Sequence, residues 1–161
     1  MRILGLDPGT ARLGYGALDA DQGRVSAVCY GVLETAPGPL GERLAHLFEG
    51  LERLVADLAP SMAVVEQVFF GQNARSALAV GHARGVILLA LQRGHVPVIE
   101  VTPAQVKQAI TGWGGAGKAQ IQDMVMRVLD LESVPRPDDA ADALAIAWSG
   151  LGPARLLVRA P

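Results

Sequence analysis

The first ten residues, Met-Arg-Ile-Leu-Gly-Leu-Asp-Pro-Gly-Thr, constrain the fold more than any other stretch. Ile3, Leu4 and Leu6 form an apolar run without polar alternation, the pattern of a strand covered on both faces in the middle of an α/β sheet. The run ends on Asp7, and Pro8-Gly9 forces a turn directly after it. Open α/β sheets gather their chemistry at the carboxyl ends of such strands, which makes Asp7 a candidate catalytic acid. The competing reading of this stretch alone is a turn role, with Asp7 only hydrogen-bonding the Gly9-Thr10 backbone.

Further along, Gly14 to Leu18 and Val25 to Leu33 are strand-like runs separated by the turn-rich Asp19-Ala20-Asp21-Gln22-Gly23, and with the first run they predict an antiparallel meander. Beyond Ala36-Pro37-Gly38-Pro39, Leu40, Leu44, Leu47, Phe48, Leu51, Leu54, Val55 and Leu58 recur at helical spacing, and that helix stops before Pro60. Met62 to Val65 predicts a short strand that ends on Glu66, as the first ends on Asp7. After a loop containing Phe69 and Phe70, Asn73 is the expected cap of a long helix from Ala74 to about Gln92. Gly81 and Gly85 inside it cost roughly 1 kcal/mol each relative to Ala, which points to a close approach by the sheet or by another subunit.

Val96 to Val101 predicts a fifth strand, and Pro103 the start of a short helix through Ile110. Thr111 to Gly117 is a glycine-rich loop around Trp113, flanked by Lys107 and Lys118, the only two lysines of the chain. A helix from Lys118 to about Leu129 follows. The last helix opens at Asp138-Asp139-Ala140-Ala141-Asp142 and is expected to carry Leu144, Ile146 and Trp148 into the core. With Pro137 just ahead, Asp138 is the natural N-cap, which leaves Asp139 to point outward with Asp142. Residues 1–152 form one domain in this reading, and 153–161 a flexible tail.

A chain of 161 residues buries a sizeable core as one domain. Half of it is hydrophobic, but much of that is Ala, so close helix packing with few aromatic anchors is expected. The net charge of −2 supplies no global basic field, and any nucleic-acid binding must come from a local patch. The lone Cys29 cannot form an internal disulfide and reads as a buried structural thiol in a reducing compartment. No apolar run reaches membrane-spanning length and no signal peptide precedes Asp7, so a soluble cytoplasmic protein is expected, with no membrane partner.

Asp139 and Asp142 stand three apart at a helix start, where the helix dipole favours negative charge. If that helix end lies near the ends of the first and fourth strands, Asp7, Glu66, Asp139 and Asp142 converge. Such a cluster repels itself. Either some of its members hold protons or a divalent cation stabilises all of them ionised. Oxygen-only ligands suit Mg²⁺ or Mn²⁺ rather than zinc, and His46, His82 and His95 offer no ligand pair. Metal-assisted phosphoryl transfer is the matching chemistry.

Leu4-Gly5-Leu6-Asp7-Pro8-Gly9-Thr10, Glu66-Gln67-Val68-Phe69, Asn73-Ala74-Arg75-Ser76-Ala77-Leu78, Ala83-Arg84-Gly85-Val86, Gln105-Val106-Lys107-Gln108 and the nine residues from Asp139 to Ala147 together resemble the RuvC family of Holliday junction resolvases, in order and over nearly the whole chain. The resemblance implies a ribonuclease H-like fold with a five-stranded mixed sheet flanked by helices. It implies a homodimer making paired symmetric nicks in four-way junction DNA, and cooperation with the RuvA-RuvB branch-migration complex. It further implies that Asp7, Glu66, Asp139 and Asp142 are the catalytic acids and hold two Mg²⁺ ions per active site, with Mn²⁺ as a substitute. Phe69, Arg75, Lys107 and Lys118 are the DNA contacts it assigns.

Three rival readings remain at this level. Asp7-Pro8-Gly9-Thr10 is similar to the first phosphate loop of actin-like and sugar kinases, but those enzymes close two such domains around a nucleotide. A ribonuclease H-like nuclease acting on other branched DNA is closer. A non-catalytic junction-binding protein is disfavoured, because a pure binder gains nothing from four carboxylates facing phosphate.

Overall fold

In the computed structural model the chain follows the order β1 (Arg2–Asp7), β2 (Arg12–Asp21), β3 (Arg24–Glu34), α1 (Leu40–Leu58), β4 (Met62–Glu66), α2 (Ala74–Arg93), β5 (Val98–Val101), α3 (Pro103–Thr111), α4 (Lys118–Val128) and α5 (Asp138–Ser149). The structure describes residues 1–67 and 74–152. Phe69, Phe70, Asn73 and the tail from Pro153 lie outside the described residues, and α2 places Arg75 by its backbone alone.

The sheet order is β3-β2-β1-β4-β5, with β1 in the centre, antiparallel to β2 and parallel to β4. Leu4 and Leu6 of β1 pack with Ala63 and Val65 of β4 under α1 and α2, through Leu47, Leu51, Ile87 and Leu91. Ile3, with Met62 and Val64, packs on the other face under α3, α4 and α5, through Val106, Ile110, Val125, Leu144 and Ile146. Alternate residues of a strand face alternate sides. Asp7 therefore shares a face with Ile3, and Glu66 with Met62 and Val64, so both acids point to the α5 side.

The expected close packing is concentrated under α5. A Cβ on Gly5 would come within 2.2 Å of the Ala143 carbonyl oxygen, and one on Gly14 within 2.2 Å of that of Asp139. With no side chain at these positions, α5 lies almost on the sheet through its buried Ala140, Ala141, Ala143, Ala145 and Ala147.

The differences from expectation are local. β2 and β3 extend to Asp21 and from Arg24, which leaves Gln22-Gly23 as the turn. Arg2 accounts for the extension: its Nε and Nη2 donate to Asp19 at 2.9 and 2.8 Å and hold that acid on the strand. Cys29 is half-buried rather than buried. Trp148 is also half-buried, and its Nε1 donates to the Ala109 carbonyl at 3.2 Å. Among the described residues no helix is long and apolar enough to cross a membrane.

Candidate active site

Parallel pairing of Leu6 with Val65 brings the ends of β1 and β4 level, so Asp7 and Glu66 emerge side by side. Glu66 pairs in turn with Val101 at the end of β5, and α3 starts immediately after that strand. The start of α3 is fixed by a capping box, in which Thr102 accepts from the Gln105 backbone N–H and the Gln105 side chain accepts from that of Thr102. Lys107 is thereby aimed at Glu66. α5 enters from the far side and brings Asp142 to the same place.

Asp7, Glu66 and Asp142 line one cleft of about 220 Å³ together with Lys107 and Lys118, floored by Val106, Ile121 and Ile146. Asp139 does not line that cleft. It lines the adjoining groove with Gly9, Thr10 and Thr35, and it reaches the cluster through its charge, as one of the groups that raise Asp7. Spacing placed Asp139 and Asp142 on one helix face; in the structure they line different grooves, and both act on Asp7 through their charge.

Burial, followed by the charges of Asp142, Glu66 and Asp139, pushes the Asp7 carboxyl up to about 7. Glu66 is raised by burial and by Asp142, against the pull of Lys107. Asp142 is raised by burial even though the Lys118 ammonium stands 3.3 Å away. Lys118 is itself raised, because Asp142 and Asp138 outweigh its loss of solvent. The two partners disagree in the direction expected of a simple ion pair, since Asp142 should fall. Burial of Asp142 explains the asymmetry, as Lys118 is more than half exposed.

Asp138 is not the N-cap. Pro137 holds that position without a side-chain bond, and Asp138 is the first residue of α5. Its carboxylate instead accepts from Arg136 Nη1 at 2.6 Å and stands 3.4 Å from Lys118 Nζ. Desolvation opposes those contacts, but together with the Lys118 and Arg136 charges they outweigh it, and Asp138 falls below the usual carboxylate range. Sequence spacing carries no signal of this bridge, because Lys118 belongs to a different helix.

Among the described residues, no three His, Cys, Asp or Glu side chains are drawn together tightly enough to enclose an ion. The acids ring the cleft, with Lys118 as counter-ion on one side. Three half-buried carboxyls, raised first by loss of solvent and then by neighbouring acids, with oxygen as the only donor atom, still fit a hard divalent cation.

The family described as crossover junction endodeoxyribonuclease RuvC matches residues 3–149. The chain is similar to the crossover junction endodeoxyribonuclease RuvC of Chloroflexus aggregans, 53% identical over 148 residues that cover 91% of this chain and 90% of the relative. In structure it is similar to T. thermophilus RuvC solved in complex with a Holliday junction substrate. That match has a TM-score of 0.91 at 35% identity and covers 97% of this chain and 96% of the other. The yeast mitochondrial Holliday junction resolvase Ydc2 shares the fold alone, at 17% identity and a TM-score of 0.62 over 91% of this chain and 77% of its own. The fold is ribonuclease H-like, a five-stranded mixed sheet flanked by helices.

Proposed function

The chain belongs to the RuvC family of crossover junction endodeoxyribonucleases, and on that premise we propose that it resolves Holliday junctions by paired symmetric nicks, hydrolysing phosphodiesters with Asp7, Glu66, Asp139 and Asp142 as catalytic acids. The observation that carries the assignment is one cleft holding Asp7, Glu66 and Asp142 beside Lys107 and Lys118. Acids alone would repel a phosphate. Two cations lining the same cleft offset part of that repulsion and give a DNA strand its phosphate contacts.

In this mechanism Asp7, Glu66 and Asp142 would hold Mg²⁺ or Mn²⁺, two ions per active site, with Asp139 adding charge from its own groove. When bound, such ions supply a water of lowered pKa and Lewis-acid stabilisation of the leaving oxygen. Lys107 and Lys118 hold the scissile phosphate and steady the charge that develops on it. Asp7, raised in pKa in the absence of a cation, would be favoured in its ionised form beside one. Phe69 and Arg75 complete the DNA contacts by family resemblance.

Two nicks on opposite strands call for two copies of one site, most simply a twofold homodimer. The support on this chain is one face of α2. Leu78 and Leu89 are 61% and 54% exposed there, and a Cβ on Gly81 or Gly85 would meet nothing within 4 Å. The sheet is served by the opposite stripe, Ala83, Ile87 and Leu91, so the glycines are open to a second subunit. Cooperation with RuvA-RuvB rests on the resemblance alone. The test is incubation with a labelled four-way junction with and without Mg²⁺: symmetric, ligatable nicks that require the ion support the reading, and cleavage of a different branched DNA in preference to the junction contradicts it.

A further inference from the structure

The loop between α3 and α4 joins the two helices that bring Lys107 and Lys118 to the cleft. It is built rather than slack. Ala116 is buried in the core, and its N–H donates to the Trp113 carbonyl at 3.2 Å. Thr111 Oγ1 accepts from the Trp113 N–H at 3.1 Å, and Gln108 Nε2 donates to the Gly112 carbonyl at 2.7 Å. Gly112 turns the chain at φ +77°, and Gly114 comes back against Ala104, next to the cleft-lining Pro103.

This framework presents Trp113, which is 61% exposed. A Cβ on Gly115 would lie 2.7 Å from the indole Cζ2, so the ring lies over that glycine while most of the residue faces solvent. Among the described residues, no core contact requires an indole there. Water is a poor environment for so large an apolar ring, whereas nucleobases stack on such rings without regard to sequence.

Resting on the nuclease reading above, we propose that Trp113 is a DNA-binding residue that stacks on an unpaired or unstacked nucleobase of the strand whose phosphates Lys107 and Lys118 hold. The two cations select DNA as the occupant of this surface. A fully paired duplex hides its base faces, so the contact favours substrates with unstacked bases.

The chain has two tryptophans, and Trp113→Phe leaves Trp148 as an internal baseline. Full-length protein is titrated in EDTA with a four-way junction, a single strand and a duplex, following tryptophan emission alongside mobility-shift binding. Emission of the parent, less that of Trp113→Phe, is expected to be quenched by junction and single strand and to change little with duplex. Trp113→Ala is expected to weaken junction binding by about 5- to 100-fold, with partial rescue by Trp113→Phe. Junction binding that leaves the difference signal unchanged, or quenching as strong with duplex, overturns the stacking role and leaves the nuclease reading standing. Failure to bind the junction at all overturns both.

Discussion

Lys118 Nζ lies 3.3 Å from Oδ2 of Asp142 and 3.4 Å from Oδ2 of Asp138, so one ammonium from the start of α4 spans the first turn of α5. In the free protein that ammonium competes with any divalent ion for Asp142. Lys118→Ala should therefore tighten Mg²⁺ or Mn²⁺ binding to the DNA-free protein severalfold, read by calorimetry. The same change should weaken junction binding and lower its salt dependence by about one counterion. Unchanged metal affinity together with an unchanged salt slope would return Lys118 to the ordinary solvated surface.

The metal-free protein should lose stability as pH rises across the Asp7 titration. Its folded-state pKa, about 7, lies above the ordinary carboxylate value of 3.8. The native state thus holds a proton that the unfolded chain has already released. The contribution is full below about pH 4 and is lost progressively up to about pH 7, amounting to a few kcal/mol at most. Melting at pH 5 and pH 8 in EDTA should show the drop, and Asp7→Asn should reduce it. A slope that Asp7→Asn leaves untouched would contradict the burial and repulsion described for this acid.

Gly5→Ala should be disproportionately costly for a change of one methyl. The new Cβ would stand 2.2 Å from the Ala143 carbonyl and 2.4 Å from the Ala147 amide, both backbone atoms of α5. Relief requires moving the helix off β1 and Asp142 with it. A loss on the order of 1–3 kcal/mol, with a fall in cleavage at temperatures where the variant is folded, is expected from denaturant midpoints and single-turnover assays.

Much of this arrangement is legible in the first strand. Its unbroken apolar run gave a central position, and the acids ending β1 and β4 marked the edge where the cleft forms. The sidedness of Asp7 and Glu66 was not legible, because it depends on the parallel register that sets Leu6 opposite Val65. Asp138 is not the cap that the neighbouring Pro137 suggests, because its partners, Arg136 and Lys118, satisfy it in space. Asp139 and Asp142 share a spacing but not a cleft: Asp142 lines the one that holds Asp7, and Asp139 lines a groove beside Gly9 and Thr10.

Gly85 separates folding from assembly. Among the described residues a Cβ at this position meets nothing within 4 Å, and replacing glycine in a helix interior gains up to about 1 kcal/mol of propensity. Gly85→Leu should thus keep or raise the melting temperature of the subunit while weakening the dimer, measured by light scattering over a concentration series. A parent that remains monomeric at high micromolar concentration would contradict the α2 interface.

The most direct measurement of the central claim, that the Asp7 cleft is where DNA is cut, is single-turnover cleavage of a labelled four-way junction by Asp7→Asn in Mg²⁺, with junction binding followed in parallel. The substitution keeps the size of the side chain and removes one charge that repels phosphate. Cleavage should fall below detection while binding is retained or tightened. Cleavage at the parent's rate would contradict the assignment.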